Sequence, residues 1–521
     1  MKFNFNRLWI IAILLGWAFD FLFWKQEAGL NFALFSTLYL LAGFGIFLTL
    51  KVRPAPRSLW LLVPFAFFAV VTFLSQEPLT IFLAHTFALF SLVVLANTYA
   101  GGRWVEYNLA EYFSRFFWLI GSMFDLPRHF INETQKEQAA SGESRWSFSI
   151  IPILRGLLIA LPIVGFFTFL LASADAIFNQ KLAEYFKDLN LGEDILRVII
   201  VLVCAYLLAG VFLHTLAQGR EEKLLGEEKP SLRQFLGLTE SAIVLGSVAI
   251  LFLLFVVIQF QYFFGGQANI GVEGFTYSQY ARRGFSELIT VAFVSLVLIL
   301  WLSALTRREN EAQRRVHVGL NAVIVTEVMV MLVSAYQRLM LAIDWHGFSR
   351  LRLYPRVFMI WLGILLVVVV ILEVLRRERY FAFAFVLASL GFAVSLTFVN
   401  VDASIMSHNL ERVTLGKNLN VPDLASLSAD AIPDLVEGFH DSQMSSEQHE
   451  GIGAILVCYL HTSIMTASDD WRSYNFSRWR ARQLLETMKP LLDGYRYNDK
   501  KSPALARTPG GVYYECWKPS D

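Results

Sequence analysis

Apolar runs long enough to cross a bilayer recur along the first 400 residues, and the polar residues fall between the runs instead of alternating within them. A helix needs about 20 mostly apolar residues to cross the hydrocarbon core. Eleven runs meet that requirement and predict spans at roughly 8–24, 30–50, 59–75, 79–97, 150–172, 195–217, 240–263, 285–305, 316–341, 357–375 and 380–400. The first follows Lys2 and Arg7, ends at Phe23 and Trp24 and has no small-residue cleavage site. It therefore reads as a retained span, although it holds Asp20.

The basic residues between the runs orient the chain, because Lys and Arg are held on the cytoplasmic side. With the N-terminus inside, the inner segments carry 21 Lys and Arg and the outer ones 8. This expectation places the N-terminus in the cytoplasm and everything after Val401 outside. Segment 104–126 is aromatic enough to be mistaken for a further span, but it carries Glu106, Glu111 and Arg115. It reads as an amphipathic helix in the membrane interface. Counting it as a span would put the basic clusters at 220–233, 307–315 and 376–379 outside.

Four sections follow from this pattern: a four-span section at 1–100, a cytoplasmic interfacial helix and polar linker at 101–149, a seven-span main section at 150–400, and an extracytoplasmic helical domain at 401–521. Between spans five and six, Ile177, Leu182, Phe186 and Leu189 oppose Lys181, Glu184, Lys187 and Asp188, the pattern of a short outer amphipathic helix. No internal or inverted repeat of the kind found in many secondary transporters is visible. In the last section three helices are expected, over 422–439, 447–465 and 469–492, followed by a short strand near 510–517. The expected fold class is thus all-α: a polytopic integral membrane protein with about eleven transmembrane helices and a small outer helical domain.

Composition sharpens the class. Hydrophobic residues make up 56% of the 521 and charged residues only 17%, with a mean hydropathy of +0.51. Soluble domains carry about 25% charge. The net charge of +1 gives no basic face for nucleic acid. Cys204, Cys458 and Cys516 contain no C-x-x-C pair, so zinc-knuckle and thioredoxin-like chemistry are unsupported. Cys458 and Cys516 could bridge if both face an oxidising compartment.

Residues 276–288, Thr-Tyr-Ser-Gln-Tyr-Ala-Arg-Arg-Gly-Phe-Ser-Glu-Leu, resemble a signature of an uncharacterised family of bacterial multispanning membrane proteins. Three further stretches are similar to that family: Leu154-Arg155-Gly156 with Leu161-Pro162 and Ser173-Ala174-Asp175; Tyr336-Gln337-Arg338 with Gly347 to Tyr354; and Asn400-Val401-Asp402, where Val401 stands in place of the usual proline. The resemblance covers about 150–410 and implies a bacterial inner-membrane location. It carries no established activity, and no cofactor.

No enzymatic motif is complete. His449-Glu450 lacks the second His of H-E-x-x-H, and Gly451-Ile452-Gly453 and Gly416-Lys417-Asn418 lack the other glycines their motifs need. Charges placed where lipid penalises them, at about 2.5 to 3.5 kcal/mol each at a helix centre, carry the remaining signal. Glu327 lies in mid-span, and Arg338 is three helical turns on along the same face. On the neighbouring span, Tyr280, Arg283 and Glu287 share a stripe, so Glu287 can meet Arg283 or Arg338. Arg282, Arg283, Arg350, Arg352 and Arg356, with Tyr280 and Tyr354 among them, form a candidate outer rim for a carboxylate or phosphate. Asp175 and Asp402 are the alternative partners on that side. His85 and His214 read as lone histidines bonding a neighbouring helix. Glu240 and Glu373 lie near the inner boundary, where charge costs little.

Three function classes remain. One is transport or permeation of a small, anionic solute. Another is a membrane sensor or assembly scaffold whose outer domain meets a protein partner or lipid headgroups. The third is an enzyme acting on a lipid-linked substrate, with Asp175, Glu287 and Asp402 as its carboxylates. No metal site is expected, and the bilayer is the one partner common to all three.

Overall fold

The computed structural model describes residues 5–140, 191–219, 234–264, 285–308, 310–417, 421–461, 470–499 and 503–516, with isolated residues between 160 and 175 and at 224 and 465. Among the described residues, eleven long helices precede the C-terminal region: α1 (Phe5–Phe23), α2 (Leu30–Thr49), α3 (Pro56–Leu74, interrupted at Trp60), α4 (Pro78–Thr98), α5 (Leu109–Ala140), α6 (Leu191–Gln218), α7 (Leu238–Phe264), α8 (Phe285–Leu305), α9 (Glu311–His346), α10 (Arg350–Val374) and α11 (Phe381–Val399). Among the described residues, nine helices are long and apolar enough to cross a membrane, namely α2–α4 and α6–α11. They coincide with nine of the expected spans. The first expected span is also helical, as α1, whereas the fifth, the outer amphipathic segment after it, and the signature up to Gly284 fall outside the described residues. The chain is an all-helical, multi-pass membrane protein.

The chain forms two compact units. The first comprises Met1–Lys25, Phe35–Arg53 and Phe117–Arg220. Here α1 packs along α6, and Asp20 is joined to Arg197 at 2.7 Å, which answers the charge in the first span. Helix α5 continues past Pro127 into residues expected as linker. Its residues 122, 123 and 124 meet positions 214, 210 and 206 of α6: Ser122 bonds His214 at 2.9 Å, Phe124 O accepts from Tyr206, and a Cβ on Gly210 would sit 2.5 Å from Met123 O. Each 1.5 Å step along α5 thus matches four residues, or about 6 Å, of α6. The two helices cross steeply, and Gly210 is what lets their backbones approach.

The second unit holds Gln26–Leu34, Pro54–Phe116 and Glu221–Asp521. Its helices pack in sequence, α3 on α4, α4 on α11, α11 on α10, and α10 on α9, which also carries α7 and α8. One core lies among α7–α10, around Leu296, Ile324, Val328 and Leu366. Gly391 of α11 takes the ring of Trp361, whose indole N–H donates to Ser395 Oγ at 3.0 Å; any Cβ on Gly391 would clash with that ring.

Asn400 closes α11 in the left-handed conformation at φ 47°, a region an asparagine tolerates. Helix α12 (Val401–Thr414) starts at the next residue, so the turn forms with Val401 in it. Beyond it lie α13 (Ile432–His440), α14 (Ser446–Leu460) and α15 (Phe476–Met488). Helix α14 begins with a capping box between Ser445 and Gln448. One strand was expected at the end, but three form an antiparallel sheet: β1 (Arg496–Asn498), β2 (Ala504–Arg507) and β3 (Tyr513–Cys516), in that order. The second core fills this region, around Ile405, Leu435, Ile455 and Ala506, and reaches Leu353 and Val357 of α10. Cys458 of α14 is disulfide-bonded to Cys516 of β3.

Candidate functional site

The polar residues brought together most tightly on the side of α10 nearest the C-terminal region come from three places in the sequence. Arg350 opens α10, Asp402 lies in the first turn of α12, and Ser428 and Asp430 belong to a short turn before α13. Arg350 Nε donates to Asp402 Oδ1 at 2.8 Å and its terminal nitrogen to Oδ2 at 2.5 Å. The Ser428 amide donates to Asp402 Oδ2 at 2.7 Å, and Asp402 is fully buried. A bidentate guanidinium and a backbone amide satisfy a carboxylate that would otherwise be costly to bury.

Asp430 extends the joint to the loop between α3 and α4. Its Oδ2 accepts from Ser75 Oγ at 2.8 Å, the Gln76 amide at 2.8 Å and the Glu77 amide at 2.9 Å. Burial pushes the Asp430 carboxyl above its ordinary value, opposed by hydrogen bonds from Ser477, Gln76 and Ser75, while nearby Asp402 pushes it the same way as burial. Glu77 caps α4, accepting from Leu79 N at 3.0 Å and Thr80 N at 2.7 Å just ahead of Pro78, and it also receives the Tyr354 hydroxyl. Asn475 donates to Ser75 O, Tyr474 O accepts from Leu30 N, and Arg478 pairs with Glu27. The C-terminal domain is thereby tied to two loops between spans as well as to the start of α10.

The expected site residues have separate partners. Arg350 is committed to Asp402, Arg352 donates to Gly347 O at 2.8 Å, and Arg356 meets Tyr336 Oη at 3.2 Å. Tyr354 serves Glu77. Arg282, Arg283 and Tyr280 lie outside the described residues. Glu287 is exposed in the first turn of α8, next to the Ser286 hydroxyl, and among the described residues no ion pair joins it to Arg338. Asp175 is exposed. Glu327 is buried on α9, and its Oε2 has no hydrogen-bond partner among the described residues. Ser334, two turns along the same stripe, receives Gln259 of α7. Glu77 and Asp430 escaped the sequence reading. The acid directly before Pro78 was a legible cap signal, whereas nothing in the sequence linked Asp430 to residues 75–77.

A family described as a domain of unknown function (DUF4153) matches residues 62–438. The chain belongs to this family. Every residue of the Glu77, Tyr354, Arg350, Asp402 and Asp430 joint lies inside the DUF4153 match, while the disulfide and the strands lie beyond it. No curated protein and no solved structure matches the chain.

Proposed function

We propose that this DUF4153 protein is a sensor or assembly scaffold of the bacterial cytoplasmic membrane, with its N-terminus in the cytoplasm and its C-terminal domain outside. The observation that carries the reading is the joint: Arg350 and Tyr354, expected to line an anion site, are instead spent on Asp402 and Glu77 to hold a folded domain on the ends of the spans. Such an arrangement transmits a displacement of the domain to α4, α10 and α11, because packed interfaces are bistable and do not deform continuously. Support for the orientation comes from the sorted basic residues, from the steep crossing of α5 over α6, and from the disulfide, which persists in oxidising compartments.

The test uses the full chain in phosphatidylglycerol-containing nanodiscs. Phosphate, small carboxylates and glycerophosphate should give no thermal stabilisation that Arg352→Gln or Arg356→Gln removes, since ligands stabilise only through native-state binding. A photo-crosslinker at Gln443, in the roughly 730 Å³ cleft of the outer domain, should give one discrete adduct in living cells. Anion stabilisation lost in either arginine variant would return the reading to a carrier. Transport remains the second reading on one observation, the buried Glu327 carboxyl in mid-span, one of whose oxygens has no partner among the described residues.

A further inference from the structure

At the opposite end of α10 four helices bury a second polar cluster. Ser241 sits in the first turn of α7, Ser303 in the last turn of α8, His317 and Asn321 in the first turns of α9, and Glu373 in the last turn of α10. His317, Asn321 and Glu373 are fully buried. Ser303 is the hub. Its hydroxyl lies 3.1 Å from Glu373 Oε1 and 3.2 Å from His317 Nε2, and it accepts from Asn321 Nδ2 at 3.3 Å. Asn321 Nδ2 also donates to Glu373 Oε2 at 2.9 Å, and Ser241 Oγ lies 3.3 Å from His317 Nδ1.

The other charged groups facing the cluster are few among the described residues. The α8–α9 connection brings Arg308, which forks onto Glu378 at 2.6 and 3.0 Å and reaches Glu373 Oε1 only at 3.4 Å. Helix α9 adds Arg314, which donates to the Glu373 backbone carbonyl. Helices α7 and α8 contribute hydroxyls. The Asn321 amide is fixed, because turning it over would set its oxygen against the carboxylate. Among the described residues its Oδ1 then has no hydrogen-bond donor, at full burial.

We propose that His317, Ser303 and Glu373 form a proton-binding site, opening at the end of the helices that bears Arg308 and Glu378. The reason is that one set of contacts serves two protonation states. In the first, His317 carries its proton on Nε2 and donates to Ser303, Ser303 donates to the Glu373 carboxylate, and Nδ1 accepts from Ser241. When a proton arrives at Nδ1, the Nε2 proton passes to Ser303 Oγ while the Ser303 proton passes to Glu373 Oε1. In the second state Glu373 is a neutral acid donating to Ser303, Ser303 donates to Nε2, and Nδ1–H donates to Ser241. One proton has been taken up, and every hydrogen bond is kept with its direction reversed along the chain. Asn321 donates to Glu373 Oε2 in both states. Buried acid and histidine chains of this kind carry protons in membrane proteins. A joint built only to hold helices would not need a hydroxyl with three neighbours beside an acceptor left open.

The test follows the protonated-carboxyl infrared band of the full chain in nanodiscs, titrated with strong acid from pH 8 to 5. The expected result is a band that Glu373→Gln removes, whose midpoint shifts by at least one pH unit, a tenfold change in proton affinity, in His317→Gln and in Ser303→Ala. Ser303→Thr, which keeps the hydroxyl, should restore it. If Glu373→Gln does not fold, the Ser303→Ala and Ser303→Thr comparison decides alone. A band unchanged in Glu373→Gln, or a midpoint indifferent to the loss of the Ser303 hydroxyl, overturns the proposal and leaves the cluster a structural seam.

Discussion

Asp402 takes Arg350 with both of its oxygens while also accepting the Ser428 amide, so one carboxylate joins the start of α10 to the turn that precedes α13. Removing one partner strands the other. Breaking a buried pair costs about 3 to 5 kcal/mol, and Asp402→Ala should cost an amount of that order in reversible denaturation of the solubilised protein. The pair Arg350→Met with Asp402→Leu should recover part of it, although the Ser428 amide then lacks its acceptor. Additive losses in the double variant would show that the two side chains are not coupled.

The spans were legible because lipid compels it: backbone polar groups must pair within each helix and the side chains must be apolar over a fixed length. Arg350 and Asp402 stood out for the same reason, as charges at the edge of that apolar pattern. Their pairing did not. Glu77 and Tyr354 are 277 residues apart and Asp430 is 355 from Ser75, and contacts at such separations leave no period to read. The C-terminal strands failed differently, since three or four residues are too few to show alternation. Glu373 was misjudged: placed near the boundary, it looked cheap, yet α8 and α9 close over it and it is fully buried.

The Cys458–Cys516 bond closes a separation of 58 residues in the C-terminal domain. The chain-entropy relation assigns a loop of that size about 4 kcal/mol, chiefly by restricting the unfolded chain. Cys458→Ser with Cys516→Ser should therefore lower the denaturation midpoint of the C-terminal domain while leaving the helicity of the spans intact. Protein from oxidising cells, alkylated without reductant, should show one free thiol, that of Cys204. Three alkylated cysteines would remove the bond and the compartment argument that rests on it.

Topology is open to a direct measurement in whole cells. In a chain without the three native cysteines, a single cysteine at Asp441 should react with a membrane-impermeant thiol reagent, and one at Ser141 should react only after lysis. Asp441 is half-exposed just after the end of α13, so access is not limiting. Labelling of both positions in intact cells, or of neither, would place them on one side and overturn the proposed orientation.

Asp430 gives the joint a pH dependence whose sign follows from its burial. Its folded-state affinity for a proton is raised, with burial as the main cause. The folded protein therefore binds this proton more tightly than the unfolded chain, and stability rises as pH falls from above the raised value towards the ordinary carboxylate range. The donors on Oδ2 need not be lost on the way, since the proton can reside on Oδ1 while Oδ2 continues to accept from Ser75, Gln76, Glu77 and the Ser428 hydroxyl. Asp430→Asn keeps an acceptor oxygen and cannot titrate. The melting temperature of the native chain relative to Asp430→Asn should thus increase on going from pH 7.5 to about pH 4.5, following the linkage sign above. A difference that stays flat, or falls on acidification, would mean that Asp430 is held as a carboxylate by its donors and that burial does not govern it.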